Sequence, residues 1–138
     1  MSLPVTHIPP RPSTGHPLGD AATQAFAEDA GPERALLDDC VHCGFCLPTC
    51  PTYVLWGEEM DSPRGRILLM DLADKGEIGL DATTVRHWDS CLGCMACVTA
   101  CPSAVQYDRL IEQTRAQVEE RFERERSDQR FRNAIFAV

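Results

Sequence analysis

Thiols arranged at fixed short intervals are the chemistry this chain advertises. Cys40, Cys43, Cys46 and Cys50 lie in CVHCGFCLPTCP, and Cys91, Cys94, Cys97 and Cys101 lie in CLGCMACVTACP. Both stretches read C-x2-C-x2-C-x3-C-P, with Pro51 and Pro102 closing them, and together they hold all eight cysteines. That run is the ligand pattern of the [4Fe–4S] cube, whose four iron corners each take one soft thiolate. Three cysteines spaced by two residues turn tightly enough to reach three corners of one cube. The fourth, followed by proline, is carried away to ligate the other cluster in two-cluster proteins. The expected ligand sets are therefore crossed: Cys40, Cys43, Cys46 and Cys101 for one cluster, Cys91, Cys94, Cys97 and Cys50 for the other. This arrangement makes metal binding and folding one event.

Two plainer readings compete. Paired CxxC motifs also hold structural zinc, but the third cysteine of each triplet and the trailing Cys-Pro fit no common zinc spacing. A disulfide framework suits a small secreted chain, and no signal peptide precedes these cysteines. The thiolate and iron chemistry places the protein in a reducing, cytosolic compartment, at most peripheral to the inner face of the membrane through partners. No nucleophile, general acid or general base arrangement accompanies the cysteines, so the expected role is a non-catalytic electron-transfer component.

At 138 residues the chain is long enough for one domain. Its net charge of −8 argues against phosphate-backbone contacts, so no nucleic-acid partner is expected. Two clusters of about −2 each would make the loaded protein still more acidic. No apolar run approaches the roughly 20 residues of a membrane span, so no transmembrane segment is expected.

The remaining segments must position the thiols. Residues 1–19, with five prolines, are expected to be disordered, and His7 and His16 within them solvent-exposed. A short helix is expected over 20–30 behind Asp20, and another opens at Pro32 to bring Leu36 and Leu37 toward the first motif. Val41, Phe45 and Leu47 are expected to shield a cluster, and Tyr53, Val54, Leu55 and Trp56 to join the core. Asp61 or Ser62 caps a helix beginning at Pro63, with Ile67, Leu68, Met70, Leu72 and Ala73 inward and Gly76 ending it. Arg64 and Arg66 sit in its first turn, against the helix dipole. They imply either a local anion or ordinary pairing with Glu58, Glu59 or Asp61. Asp81 caps a further helix carrying Val85, Trp88 and Leu92 inward. Ser103 is expected to cap a long helix whose stripe is Tyr107, Leu110, Ile111, Thr114, Val118 and Phe122. The charge run EERFERERSD reads as its solvated face, with i,i+4 pairs such as Glu120–Arg124. The domain boundaries expected are 1–19 for the proline-rich terminus, 20–126 for the cluster domain and 127–138 for an apolar tail. That tail either docks or marks a truncation point.

CVHCGFCLPTCPTY, DSPRGRI, CLGCMACVTACPSAVQY and LIEQTR together resemble the N-terminal iron–sulfur domain of the glycolate oxidase iron–sulfur subunit family. The resemblance covers about residues 36–137. It implies an all-α fold, the α-helical ferredoxin with two [4Fe–4S] clusters. It also implies an electron relay from an FAD-containing 2-hydroxy-acid dehydrogenase subunit to a quinone-side acceptor. The family continues into cysteine-rich CCG domains, so the chain is expected to be an N-terminal fragment or a shortened gene product; a CCG-domain protein is a further expected partner. A stand-alone ferredoxin-like carrier and a zinc-stabilised interaction module are the rival readings.

Overall fold

The computed structural model describes residues 25–27 and 30–136, so the readings of residues 1–19 and of most of 20–30 lie outside it. Seven α-helices follow in order among the described residues: α1 (Arg34–Asp38), α2 (Pro51–Trp56), α3 (Pro63–Asp74), α4 (Ala82–Asp89), α5 (Ala96–Thr99), α6 (Tyr107–Arg121) and α7 (Arg126–Phe136). Two 3-10 turns, Leu47–Thr49 and Glu59–Asp61, link the early helices. The fold is all-α, with no strand among the described residues.

Helix starts follow local chemistry where a side chain can satisfy the free N–H groups. The Ser62 hydroxyl accepts from the Gly65 N–H at 3.0 Å, and Pro63 takes the first helical position. The Asp81 carboxylate accepts from the N–H groups of Thr83 and Thr84 at 2.7 and 3.0 Å. The last helix turn of α3 stops before Gly76, whose φ of +72° lies in the left-handed region. Ser103 does not cap α6. Ala104 takes a φ of +53° and turns the chain, so the helix begins at Tyr107 behind Gln106 with no side-chain cap.

The core is built by α3, α4 and α6. Ile67, Met70 and Ala73 of α3 meet Val85 and Trp88 of α4 and Leu110, Ile111 and Val118 of α6, all buried. Phe26 closes it, its ring 6.0 Å from that of Trp88. Burying side chains of this size is the main favourable term; truncating a buried Trp typically costs about 3–5 kcal/mol. Leu68, Leu72 and Phe122 are only half-buried, at the margin of the stripes that carry them.

Several expectations fail on packing. Val54, Leu55 and Trp56 are exposed, because three consecutive residues of a six-residue helix cannot share one face. The buried residue of α2 is Thr52. Leu92 lies beyond the end of α4 and is 68% exposed. The charge run is not one helical face. The chain leaves α6 at Phe122, in extended backbone, and restarts at Arg126. Arg124 fills the gap with its side chain 5% exposed, paired with Asp89 at 2.6 Å and Glu119 at 2.6 Å rather than with Glu120. Arg132 of α7 adds contacts to Asp89 and Glu119, so α7 is tied to the end of α4. Among the described residues no helix is long and apolar enough to cross a membrane.

Candidate metal centre

Each cysteine run forms a loop whose backbone is bent the same way. In the first, His42 and Gly44 have φ of +52° and +88°; in the second, Gly93 and Met95 have φ of +65° and +58°. These are equivalent positions, the residue before the second cysteine and the residue after it. Glycine stands at one of them in each loop, but not at the same one. Left-handed backbone at both positions turns the three thiols of a triplet toward one side. The intervening side chains point away, which is why Val41 and Phe45 are 67% and 66% exposed instead of shielding the site. Leu47 is half-buried.

Two pockets result. The first, about 430 Å³ and open on one side, is lined by Cys40, Cys43, Cys46, Cys97 and Cys101, with Pro63, Ile67, Val105 and Tyr107. The second, about 310 Å³, is lined by Cys50, Cys91, Cys94 and Cys97, with Thr52, Arg66 and Tyr107. The eight cysteines are thus gathered around two pockets, Cys101 beside the first triplet, Cys50 beside the second, and Cys97 lining both. Cys43 and Cys94, the middle cysteines, are exposed; Cys50 and Cys97 are buried. Among the described residues no three His, Cys, Asp or Glu side chains draw in around a single-ion position. The thiols line pockets, the arrangement in which soft donors reach the corners of a cube.

Burial pushes the thiols of Cys40 and Cys46 up, and that of Cys97 up to about 12, with the charge of Cys91 adding to the last. Unligated, they keep their protons at neutral pH. Iron binding must expel those protons, so loading and deprotonation are coupled.

Behind the second pocket lies a buried polar network anchored by Arg66, which is 1% exposed. Its Nε donates to the His87 carbonyl at 2.6 Å, and its Nη2 donates to Thr52 Oγ1 at 3.1 Å and Ser90 Oγ at 3.0 Å. Asp61 is its buried counter-ion at 3.6 Å. The same carboxylate oxygen accepts from Ser90 Oγ at 2.8 Å and meets His87 Nδ1 at 3.0 Å. Arg64 faces the first pocket and is paired with Glu59 at 2.6 Å. Both arginines of the first turn of α3 thus have carboxylate partners, one of the two readings their sequence positions left open. The roles of Thr52, His87 and Ser90 were not visible in the sequence, because no spacing rule links residues this far apart. Arg115 is likewise a tertiary device: its Nη2 donates to the Trp88 and Cys91 carbonyls at 3.0 and 2.5 Å, fixing the exit of α4 into the second loop.

Soft donors ringing two pockets on a helical scaffold define a two-cluster iron–sulfur protein. A family model described as the 4Fe-4S dicluster domain matches residues 36–105, and the chain belongs to that family. Its eight cysteines fit two [4Fe–4S] clusters. The chain is 47% identical over 91 residues to the glycolate oxidase iron-sulfur subunit of Escherichia coli (strain K12), covering 65% of this chain and 22% of that relative. It is 50% identical over 78 residues to the probable glycolate oxidase iron-sulfur subunit of Bacillus subtilis (strain 168), covering 56% of this chain and 18% of that relative. The match therefore spans about a fifth of the length of these curated relatives. The resemblance drawn from the cysteine runs and DSPRGRI is borne out. No solved structure gives a significant match.

Proposed function

We propose that this chain is the electron-relay domain of a glycolate-oxidase-type complex. It would take electrons from an FAD-containing subunit that oxidises a 2-hydroxy acid and pass them toward a quinone-side acceptor. The observation that carries this reading is the pair of pockets, each with a full set of four cysteines. Cys40, Cys43, Cys46 and Cys101 would hold one cluster, and Cys91, Cys94, Cys97 and Cys50 the other. When bound, the clusters supply one-electron redox chemistry. The chain contributes the rest: the two loops present thiols, α3 and α6 back them with apolar surface, and the exposed Cys43 and Cys94 set the sides from which a partner reaches each site. The 2-hydroxy-acid substrate would be read by the flavin subunit. A CCG-domain protein is the second partner proposed, and docking through these partners would hold the chain at the inner face of the membrane. The cluster domain proposed runs from residue 20 to 126.

Two measurements test this. Anaerobically purified protein should contain about eight iron and eight acid-labile sulfide per chain, as two cubes require; colourless, folded, iron-free protein would end the reading. With clusters present, mixing with the reduced flavin subunit should bleach the cluster absorbance within the turnover time of the complex. Reduction of several unrelated enzymes by the monomer, without that response, would instead favour a stand-alone carrier.

A further inference from the structure

The two pockets differ in what faces their sulfurs, most of all in side chains. Backbone N–H groups face the sulfurs of both: those of His42, Cys46 and Arg64 in the first, and that of Cys97, which lines both pockets, in the second. In the second pocket, Arg66 Nη1 also lies 3.9 Å from Cys50 Sγ, and Thr52 Oγ1 lies 3.2 Å from the same atom. The Thr52 hydroxyl is in turn held by Arg66 Nη2 and the Asp61 carbonyl. Across the pocket the Tyr107 hydroxyl donates to Cys91 Sγ at 3.5 Å. Arg66 and Tyr107 are both buried, so water does not screen them. The cation nearest the first pocket, Arg64, has a side chain 28% exposed and directs its Nε to Glu59 and its Nη1 to the His42 carbonyl.

Cations and hydrogen-bond donors aimed at cluster sulfur stabilise the reduced, more negative state and raise the potential. The carboxylate that balances Arg66 pairs with Nη2, Asp61 Oδ1 lying 3.6 Å away and itself held by Ser90 and His87, while Nη1 is the nitrogen that faces Cys50 Sγ; the Asp61 carbonyl oxygen lies 3.6 Å from the same sulfur. Resting on the two-cluster reading, we infer that Arg66 and Tyr107 are positioning residues that make the cluster held by Cys50, Cys91, Cys94 and Cys97 the more easily reduced of the two. A single electron placed on the domain then resides in the second pocket. Exchange between the sites is a one-electron step: the first site is oxidised as the second is reduced, with no bond made or broken in the chain.

The test is an EPR-monitored redox titration of the cluster-loaded protein, its two signals assigned with Cys43→Ser and Cys94→Ser. Arg66→Gln and Tyr107→Phe should each lower the reduction constant of the second cluster by about tenfold, 59 mV for one electron. The first cluster should hold its midpoint. Arg66→Lys, which keeps the charge, should recover most of the shift, and Arg64→Gln should leave the second cluster unmoved. Arg66→Gln perturbs a buried network, so Tyr107→Phe, the loss of one oxygen, decides if that variant does not fold. Full iron and sulfide content with an unchanged second midpoint in Tyr107→Phe would overturn the tuning role while leaving the two-cluster reading intact. An equal shift of both midpoints would overturn it too. Iron-free wild-type protein would remove the cluster reading first, and this one with it.

Discussion

At the scale of single residues, the loops carry strain in one place and relief in another. His42 and Met95 hold left-handed backbone that costs an ordinary residue about 1–2 kcal/mol, while Gly44 and Gly93 hold the equivalent positions freely. His42→Gly, at an exposed position, should therefore be neutral or stabilising, and Gly93→Ala should cost about 1 kcal/mol. Thermal melts of the loaded protein check both; a stabilising Gly93→Ala would show that the loop is not held in this shape. Asp61 offers a larger effect. Its carboxylate is the buried counter-ion of Arg66, and removing one partner of a buried pair typically costs about 3–5 kcal/mol because the other charge is stranded. Asp61→Ala is expected to unfold at correspondingly lower denaturant. Asp61→Asn, which keeps an acceptor for Ser90 and His87, should lose clearly less.

At the scale of elements, the critical junction is the 3-10 turn Glu59–Asp61 against the first turn of α3. A Cβ at Gly65 would run into the carbonyl oxygen of Glu59, a backbone atom that cannot swing aside. Gly65→Ala should therefore displace the turn that sets Asp61, Ser62 and Arg66. The expected result is a loss of several degrees in Tm together with incomplete cluster loading of the second pocket, read from its EPR signal. Normal melting and loading would show the junction to be slack. What the sequence revealed here and what it hid divide on locality. Ser62, Pro63, Gly76 and Asp81 act on neighbours within one helical turn, so their caps and stops were legible, and so were the cysteine runs. The break after Arg121 was not, because it depends on Arg124 reaching Asp89, 35 residues away. The outward aim of Val41 and Phe45 was hidden for a related reason. Apolar letters beside cysteines suggest shielding, whereas a loop that turns its thiols inward must turn their neighbours out. Ser103 had the right chemistry for a cap, and the positive φ of Ala104 removed it from the helix.

At the scale of the whole molecule, the apolar core and the cluster sites are built from different parts of the chain. The contiguous apolar core takes Leu36 and Leu37 and then no further buried member until Ile67, so residues 38–66 are held from elsewhere. Their anchors are the half-buried Cys40 and Cys46, the Thr52–Asp61–Arg66 network and, once loaded, the metal. The crossed ligand sets sharpen this division. Cys50 and Cys101 each leave their own triplet for the other pocket, so cluster binding closes the chain across the 40 residues between Cys50 and Cys91. Loss of iron should then act unevenly. Amide hydrogen exchange after anaerobic chelation should rise first and most in residues 40–61 and 91–101. The buried faces of α3, α4 and α6 should keep much of their protection, because Met70, Trp88, Leu110 and Ile111 pack without help from the metal. Arg115 and Arg124 keep the end of α4 tied to α6 and the segment after it in either state, so protection near Asp89 is expected to outlast that near Cys91. Uniform loss of protection along the chain would mean that the helices cannot stand without the clusters. Unchanged protection in 40–61 would mean that the polar network alone holds that segment.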